Sequence, residues 1–142
     1  MAFLIKSDIE ILLRTYRLNQ ITDENDVLIE TAASMAEAKI IDALYQYYDV
    51  TAIFGKTGID RPQNVLTWSR HLTIYYLYER VPDEQVPERV VFHYKEVCEV
   101  LTDIAKGKIS VDLPRLETDS DGDGKPDPKT RFKWGSVPKR SH

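Results

Sequence analysis

Between Pro87 and Gly107, apolar side chains recur every three or four positions: Val90, Val91, Tyr94, Val97, Cys98, Leu101, Ile104 and Ala105. That spacing gathers them on one face of an α-helix, whereas a strand would divide them between two faces. Pro87 suits the first turn, where the N–H it lacks has no partner anyway. Lys106 and Gly107 suit the last turn and the residue just beyond it. A helix with one apolar face needs other apolar surfaces to cover it, so the reading turns on what else the chain supplies.

Three further helical segments are legible. After the polar run Thr22-Asp23-Glu24-Asn25-Asp26, which offers an N-cap and first-turn acids, Ile29, Ala32, Ala33, Ala36, Ile40, Ala43, Leu44 and Tyr47 form one stripe. Its alanines allow another helix to approach closely. The stripe runs out at Tyr47-Tyr48-Asp49-Val50, and Gly55, Gly58 and Pro62 punctuate a loop. A helix follows from about Gln63 to Arg80, with Leu66, Trp68, Leu72, Tyr75 and Tyr76 available for packing. The Pro82–Pro87 stretch ends it. Near the N-terminus, Ser7 and Glu10 have the spacing of a capping box, and Ile9, Leu12, Leu13 and Tyr16 fall on one helical face that should stop near Leu18-Asn19. Ile109, Val111 and Leu113 alternate with polar residues, which predicts a short extended segment over Lys108–Pro114.

The expected fold is all-α: a small bundle of about four helices over residues 1–114, a short extended segment, and a long C-terminal tail over 115–142. A chain of 142 residues is the size of one domain with a real core. No apolar run approaches the roughly 20 residues that span a bilayer. Met1-Ala2-Phe3-Leu4-Ile5-Lys6 is too short and too soon charged for a secretory signal. Cys98 is alone, which excludes an intrachain disulfide and fits a reducing compartment. The net charge of −4 gives no general pull toward nucleic acid or membrane, but it is unevenly spread. Residues 1–114 carry 12 basic and 18 acidic side chains, and residues 115–142 carry 7 and 5. The body is acidic and the tail ends basic.

The sharpest local motif lies in that tail. Asp119, Asp121 and Asp123, then Gly124 and Asp127, occupy positions 1, 3, 5, 6 and 9 of a calcium-type loop. Position 12 is Thr130, without the bidentate glutamate, and Pro126 and Pro128 prevent the helix that follows an EF-hand loop. A weak calcium site, a solvated acidic turn, or a site completed by a neighbouring subunit all fit. Farther on, Phe132 and Trp134 sit among Lys133, Lys139 and Arg140 on a segment with little else to bury. They read as anchors for a partner or as residues that fold back on the body.

The search for catalysis comes back thin. His71, His93 and His142 lack the spacing of a zinc site, and Cys98 falls on the apolar stripe of its helix, as a buried structural cysteine would. No phosphate-binding glycine loop, nucleophile elbow or His-Glu-x-x-His sequence occurs. The reading is therefore a non-enzyme with no required cofactor, calcium aside. Tyrosines cluster instead: Tyr45, Tyr47 and Tyr48 close one helix, and Tyr75, Tyr76 and Tyr78 close another. Helical neighbours point about 100° apart, so three in four residues cannot share one core. Tyr47, Tyr48 and Tyr78 are expected to be contact residues, the alternative being a wide aromatic core with surface tyrosines.

The order of Phe3-Leu4-Ile5-Lys6-Ser7-Asp8-Ile9, Ile21-Thr22-Asp23 and the alanine-rich helix with Ile40-Ile41-Asp42-Ala43-Leu44 resembles one known family. So do Arg70 with Tyr75-Tyr76-Leu77-Tyr78, Tyr94 with Leu101–Lys108, and the closing Ile109–Pro114. Residues 1–114 resemble the phage Mu-like family of small head–tail connector, or head completion, proteins. The resemblance implies a structural virion protein at the head–tail junction, made in the host cytoplasm. Such a protein forms a ring, often of twelve copies, between portal and tail, acts through protein–protein contacts, and lets DNA pass without sequence-specific binding. No catalytic residues come with it. A calcium-binding interaction module and a small cytoplasmic helical regulator are the alternatives from other classes.

Overall fold

The structure is a computed structural model, and it describes residues 3–80, 85–118 and 127–128. The fold is all-α. Its helices are α1 (Lys6–Glu10), α2 (Thr15–Thr22), α3 (Asp26–Leu44), α4 (Val50–Phe54), α5 (Gln63–Glu79) and α6 (Glu88–Ala105), with a single 3₁₀ turn at Gly58–Asp60. Two-residue strands β1 (Glu117–Thr118) and β2 (Asp127–Pro128) pair antiparallel, with Glu117 opposite Pro128 and Thr118 opposite Asp127.

Helices α3, α5 and α6 form the bundle, and the α3–α5 interface is the most extensive. The alanine stripe explains why. Ala32, Ala33 and Ala36 are buried beside Ile29, Ile40 and Leu44, and side chains that small let a neighbouring helix pack close. Asn25 caps α3, its side chain accepting the Val27 N–H at 3.0 Å. The far end of α6 is closed by Gly107 at φ 76°. There the Gly107 N–H reaches the Ile104 carbonyl at 3.0 Å and the Lys108 N–H reaches that of Asp103 at 2.9 Å, a Schellman closure.

The N-terminal helix expected to run to Leu18-Asn19 is broken into α1 and α2. No glycine or proline forces the break. A continuous helix would align Leu12 and Tyr16 with Ile9 and Leu13; the break instead buries Ile9, Leu13, Leu18 and Ile21 and leaves Leu12 and Tyr16 exposed. Burial of two more large apolar side chains outweighs the loss of a few helical bonds. The capping-box reading fails with it: Asp8, not Glu10, reaches back, its carboxylate accepting the Ile5 N–H at 2.9 Å. At its end, α2 turns through two consecutive left-handed residues, Asp23 at φ 53° and Glu24 at φ 59°.

Helix α4 lies in the stretch read as a run-in to the loop, capped by Asp49, whose carboxylate accepts the Ala52 N–H at 3.1 Å. The extended segment over Lys108–Pro114 is not a strand. Its backbone bends where the Leu113 N–H bonds the Val111 carbonyl at 3.0 Å, and the ladder contact falls later, at a single bridge between Tyr48 and Arg115. This strap is fastened to the turn after α3. The Asp49 N–H reaches the Pro114 carbonyl at 2.9 Å, and the Leu116 N–H reaches that of Tyr47 at 3.1 Å.

Candidate interaction surfaces

The tyrosines expected at contacts are mostly turned inward. Tyr48 is 1% exposed. Its hydroxyl accepts the Val111 N–H at 3.0 Å and lies 3.3 Å from Arg115 Nη1, whose guanidinium sits 5.0 Å above the ring. Tyr78 is 3% exposed, and its hydroxyl takes a bond from Arg17 Nε at 3.3 Å. Tyr47 is half-buried, with its hydroxyl against Gly107. As a correction to the expectation, Tyr48 and Tyr78 offer a partner almost no surface in the free chain. The aromatic core reading holds for them, because both hydroxyls find polar partners inside. A second aromatic group joins α5 to α6: Tyr75 stacks on Tyr94 at 3.8 Å, with Tyr76 edge-on at 6.0 Å. Burial, then the adjoining Cys98 and Tyr76, push the Tyr94 hydroxyl far above its ordinary range. Cys98 is half-buried, less enclosed than the buried structural cysteine that its place on the apolar stripe predicts.

One charged network was not visible in the sequence. Asp8, 5% exposed, receives Arg61 Nη1 on Oδ2 at 2.7 Å and Nη2 on Oδ1 at 3.1 Å. Arg61 also donates to the Phe3 carbonyl at 2.6 Å and to that of Gly58 at 2.8 Å. Arg70 Nε bonds the Asp8 carbonyl at 3.0 Å, and its Nη2 stands 4.0 Å from Oδ1. Burial alone would raise the Asp8 carboxyl. The bonds from Arg61 and the Ile5 N–H, with the charges of Arg61 and Arg70, outweigh burial and hold it below its usual range. The network pins the N-terminal segment to the turn before α5 and stiffens that turn, whose residue Ile59 is 97% exposed.

His71 and His93, conceivable from the sequence as a shared pair, do meet. Their rings stack at 4.5 Å between α5 and α6, over a cavity of about 130 Å³ lined by Leu12, Leu13, Ile74, Arg89 and Val90. Burial first, and the adjacent His93 next, lower the pKa of His71. His93 Nδ1 lies 3.3 Å from Glu96 Oε1. Among the described residues, no group of three or more His, Cys, Asp or Glu side chains converges as metal ligands would. Of the calcium-loop residues, Asp119, Asp121 and Asp123 lie outside the described residues, as do Phe132, Lys133, Trp134, Lys139 and Arg140. For Asp127 the structure describes only the backbone pairing with Thr118.

The outer side of α3 carries several exposed apolar side chains. Half a helical turn from the buried alanines lie Val27, Ser34, Ala38 and Tyr45, with Met35 and the half-buried Ile41 beside them. Val27, Met35 and Tyr45 are 62%, 50% and 52% exposed. Glu30 and Glu37 flank this stripe on one edge and Asp42 on the other. Desolvation raises the Glu37 carboxyl. Helix α3 is thus apolar on its buried side and carries a second, narrower apolar stripe on its exposed side.

The described residues form a small, mainly helical body with large apolar side chains held at its surface. Residues 5–127 match the family described as Bacteriophage Mu, Gp36, and the chain belongs to that family. It is thus a phage protein, and none of its described helices is long and apolar enough to cross a membrane. The match runs past Pro114, where the resemblance in the sequence stops, and takes in the Asp-rich loop. No curated protein matches the chain at a significant level.

Proposed function

We propose that the chain is a head–tail connector subunit, a structural virion protein that assembles as a ring between portal and tail and acts by protein–protein contact without catalysis. The observation that carries this reading is the second apolar face of α3, in a chain of a phage family. Exposed Val27, Met35 and Tyr45, together with Ile59 on its braced turn, are what a subunit covered by neighbours needs and a solitary one does not. The acidic body is consistent with a conduit whose wall does not retain a duplex. Cross-linking mass spectrometry on particles of the source phage tests it: links from this chain to itself and to the portal are expected. Absence of the chain from infectious particles would sink the proposal and leave a free helical regulator as the better reading.

A second reading has one observation behind it. Pairing Thr118 with Asp127 draws together the two ends of the Asp-rich loop, as a calcium-dependent module would require. Calorimetry with calcium separates the two, since a module needs tight binding and a connector does not.

A further inference from the structure

The turn that leads into α5 ends in a projecting side chain. Ile59, at 97% exposure, is the most exposed large apolar residue among those described. Its backbone is held: the Asp60 N–H bonds the Thr57 carbonyl at 3.2 Å, and Arg61 Nε bonds that of Gly58 at 2.8 Å. A side chain carried on a braced turn loses little freedom when it enters a pocket.

A pocket of matching size lies on a different surface of the same chain. The cavity beside the stacked rings of His71 and His93 holds about 130 Å³. A cavity of about 150 Å³ admits a six-carbon ring, so this one suits the four side-chain carbons of an isoleucine. Leu13, Ile74 and Val90 are buried and give it an apolar floor, while Leu12 and Arg89 are exposed at its mouth. Charge agrees as well, because Asp60, exposed next to Ile59, is opposite in sign to Arg89. The turn precedes Gln63, whereas the cavity lies beside His71 and Ile74, at least about 12 Å farther along α5. Knob and socket are thus separate patches of one molecule, and a contact between them joins one copy to another.

We propose that Ile59 of one subunit seats in the His71–His93 cavity of a second copy, with Asp60 beside Arg89 at the mouth. This deepens the connector reading and rests on it only for the ring that such contacts close. The site is complete only in the assembly, since one copy supplies the walls and the next supplies the filling.

Sedimentation of the full chain, at concentrations rising to its solubility limit, tests the contact. The wild-type chain should self-associate. Ile59→Lys and Leu12→Lys, both at exposed positions and with folding checked by circular dichroism, should each weaken association at least about tenfold, the worth of burying one isoleucine. Their equimolar mixture should recover it as pairs with one copy of each. Only there does an intact Ile59 meet an intact cavity, and two added lysines bring no new attraction. A monomeric wild-type chain, variants that associate as the wild type does, or a mixture that stays apart would overturn the proposal. A chain found in particles but monomeric here sinks this contact alone; a chain absent from particles whose mixed variants still pair sinks the connector reading alone.

Discussion

Arg61 grips Asp8 with two nitrogens, Nη1 at 2.7 Å from Oδ2 and Nη2 at 3.1 Å from Oδ1, across 53 positions of sequence. The side chains of Arg61 and Arg70 are only 12% and 13% exposed. Asp8→Ala strands both guanidiniums without their anion, and a cost of about 3 kcal/mol is expected. Urea midpoints of Asp8→Ala, Arg61→Met and the double variant close the cycle: the double should cost clearly less than the sum of the singles.

Tyr48→Phe keeps the ring and removes the acceptor for the Val111 N–H, so it should cost about 1–2 kcal/mol. Hydrogen exchange gives the sharper readout. The Val111 amide should lose protection in the variant while amides in the middle of α6 keep theirs.

Backbone geometry sets two opposite expectations. Glu24 sits at φ 59° without needing its side chain there, so Glu24→Gly should stabilise by about 0.5–1 kcal/mol. Gly107→Ala should destabilise by about 1–2 kcal/mol, since the residue holds φ 76° and a Cβ would meet the Tyr47 hydroxyl at 3.0 Å. Thermal melts of the two variants moving in the same direction would contradict this account.

The pH dependence should show two separate windows. His71 has a lowered pKa in the folded state, so the unfolded chain binds the extra proton first and stability falls as pH drops through the ordinary histidine value, about 6.5. Asp8 is also lowered, so its contribution persists down to the ordinary carboxylate range near 3.9 and is lost as pH falls through the folded value. His71→Gln should flatten the upper window and leave the lower one; chemical denaturation at stepped pH reads both.

What the sequence discloses about the fold depends on the range of the interaction. Helix α6 is legible because its core face repeats every turn, and the start of α3 because Asn25 caps it locally. The break between α1 and α2 is not, since nothing between Glu10 and Thr15 disfavours a helix; the decision comes from distant residues that receive Leu18 and Ile21. Helix α4 escapes notice because its five residues are too few to show a period. Among the candidate surfaces, the clustering of tyrosines is visible while their direction is not. Tyr48 turns inward because Val111 and Arg115, more than sixty positions on, supply its polar partners. The Asp8–Arg61–Arg70 network has no local signature at all, being three common surface residue types brought together only by the fold.

The turn that carries Ile59 is held at its base by the same guanidinium that holds the N-terminal segment, through the Gly58 carbonyl on one side and Phe3 and Asp8 on the other. The two regions are therefore energetically linked. Losing Arg61 would release both at once: the start of the chain and the turn that presents Ile59 have one fastening between them.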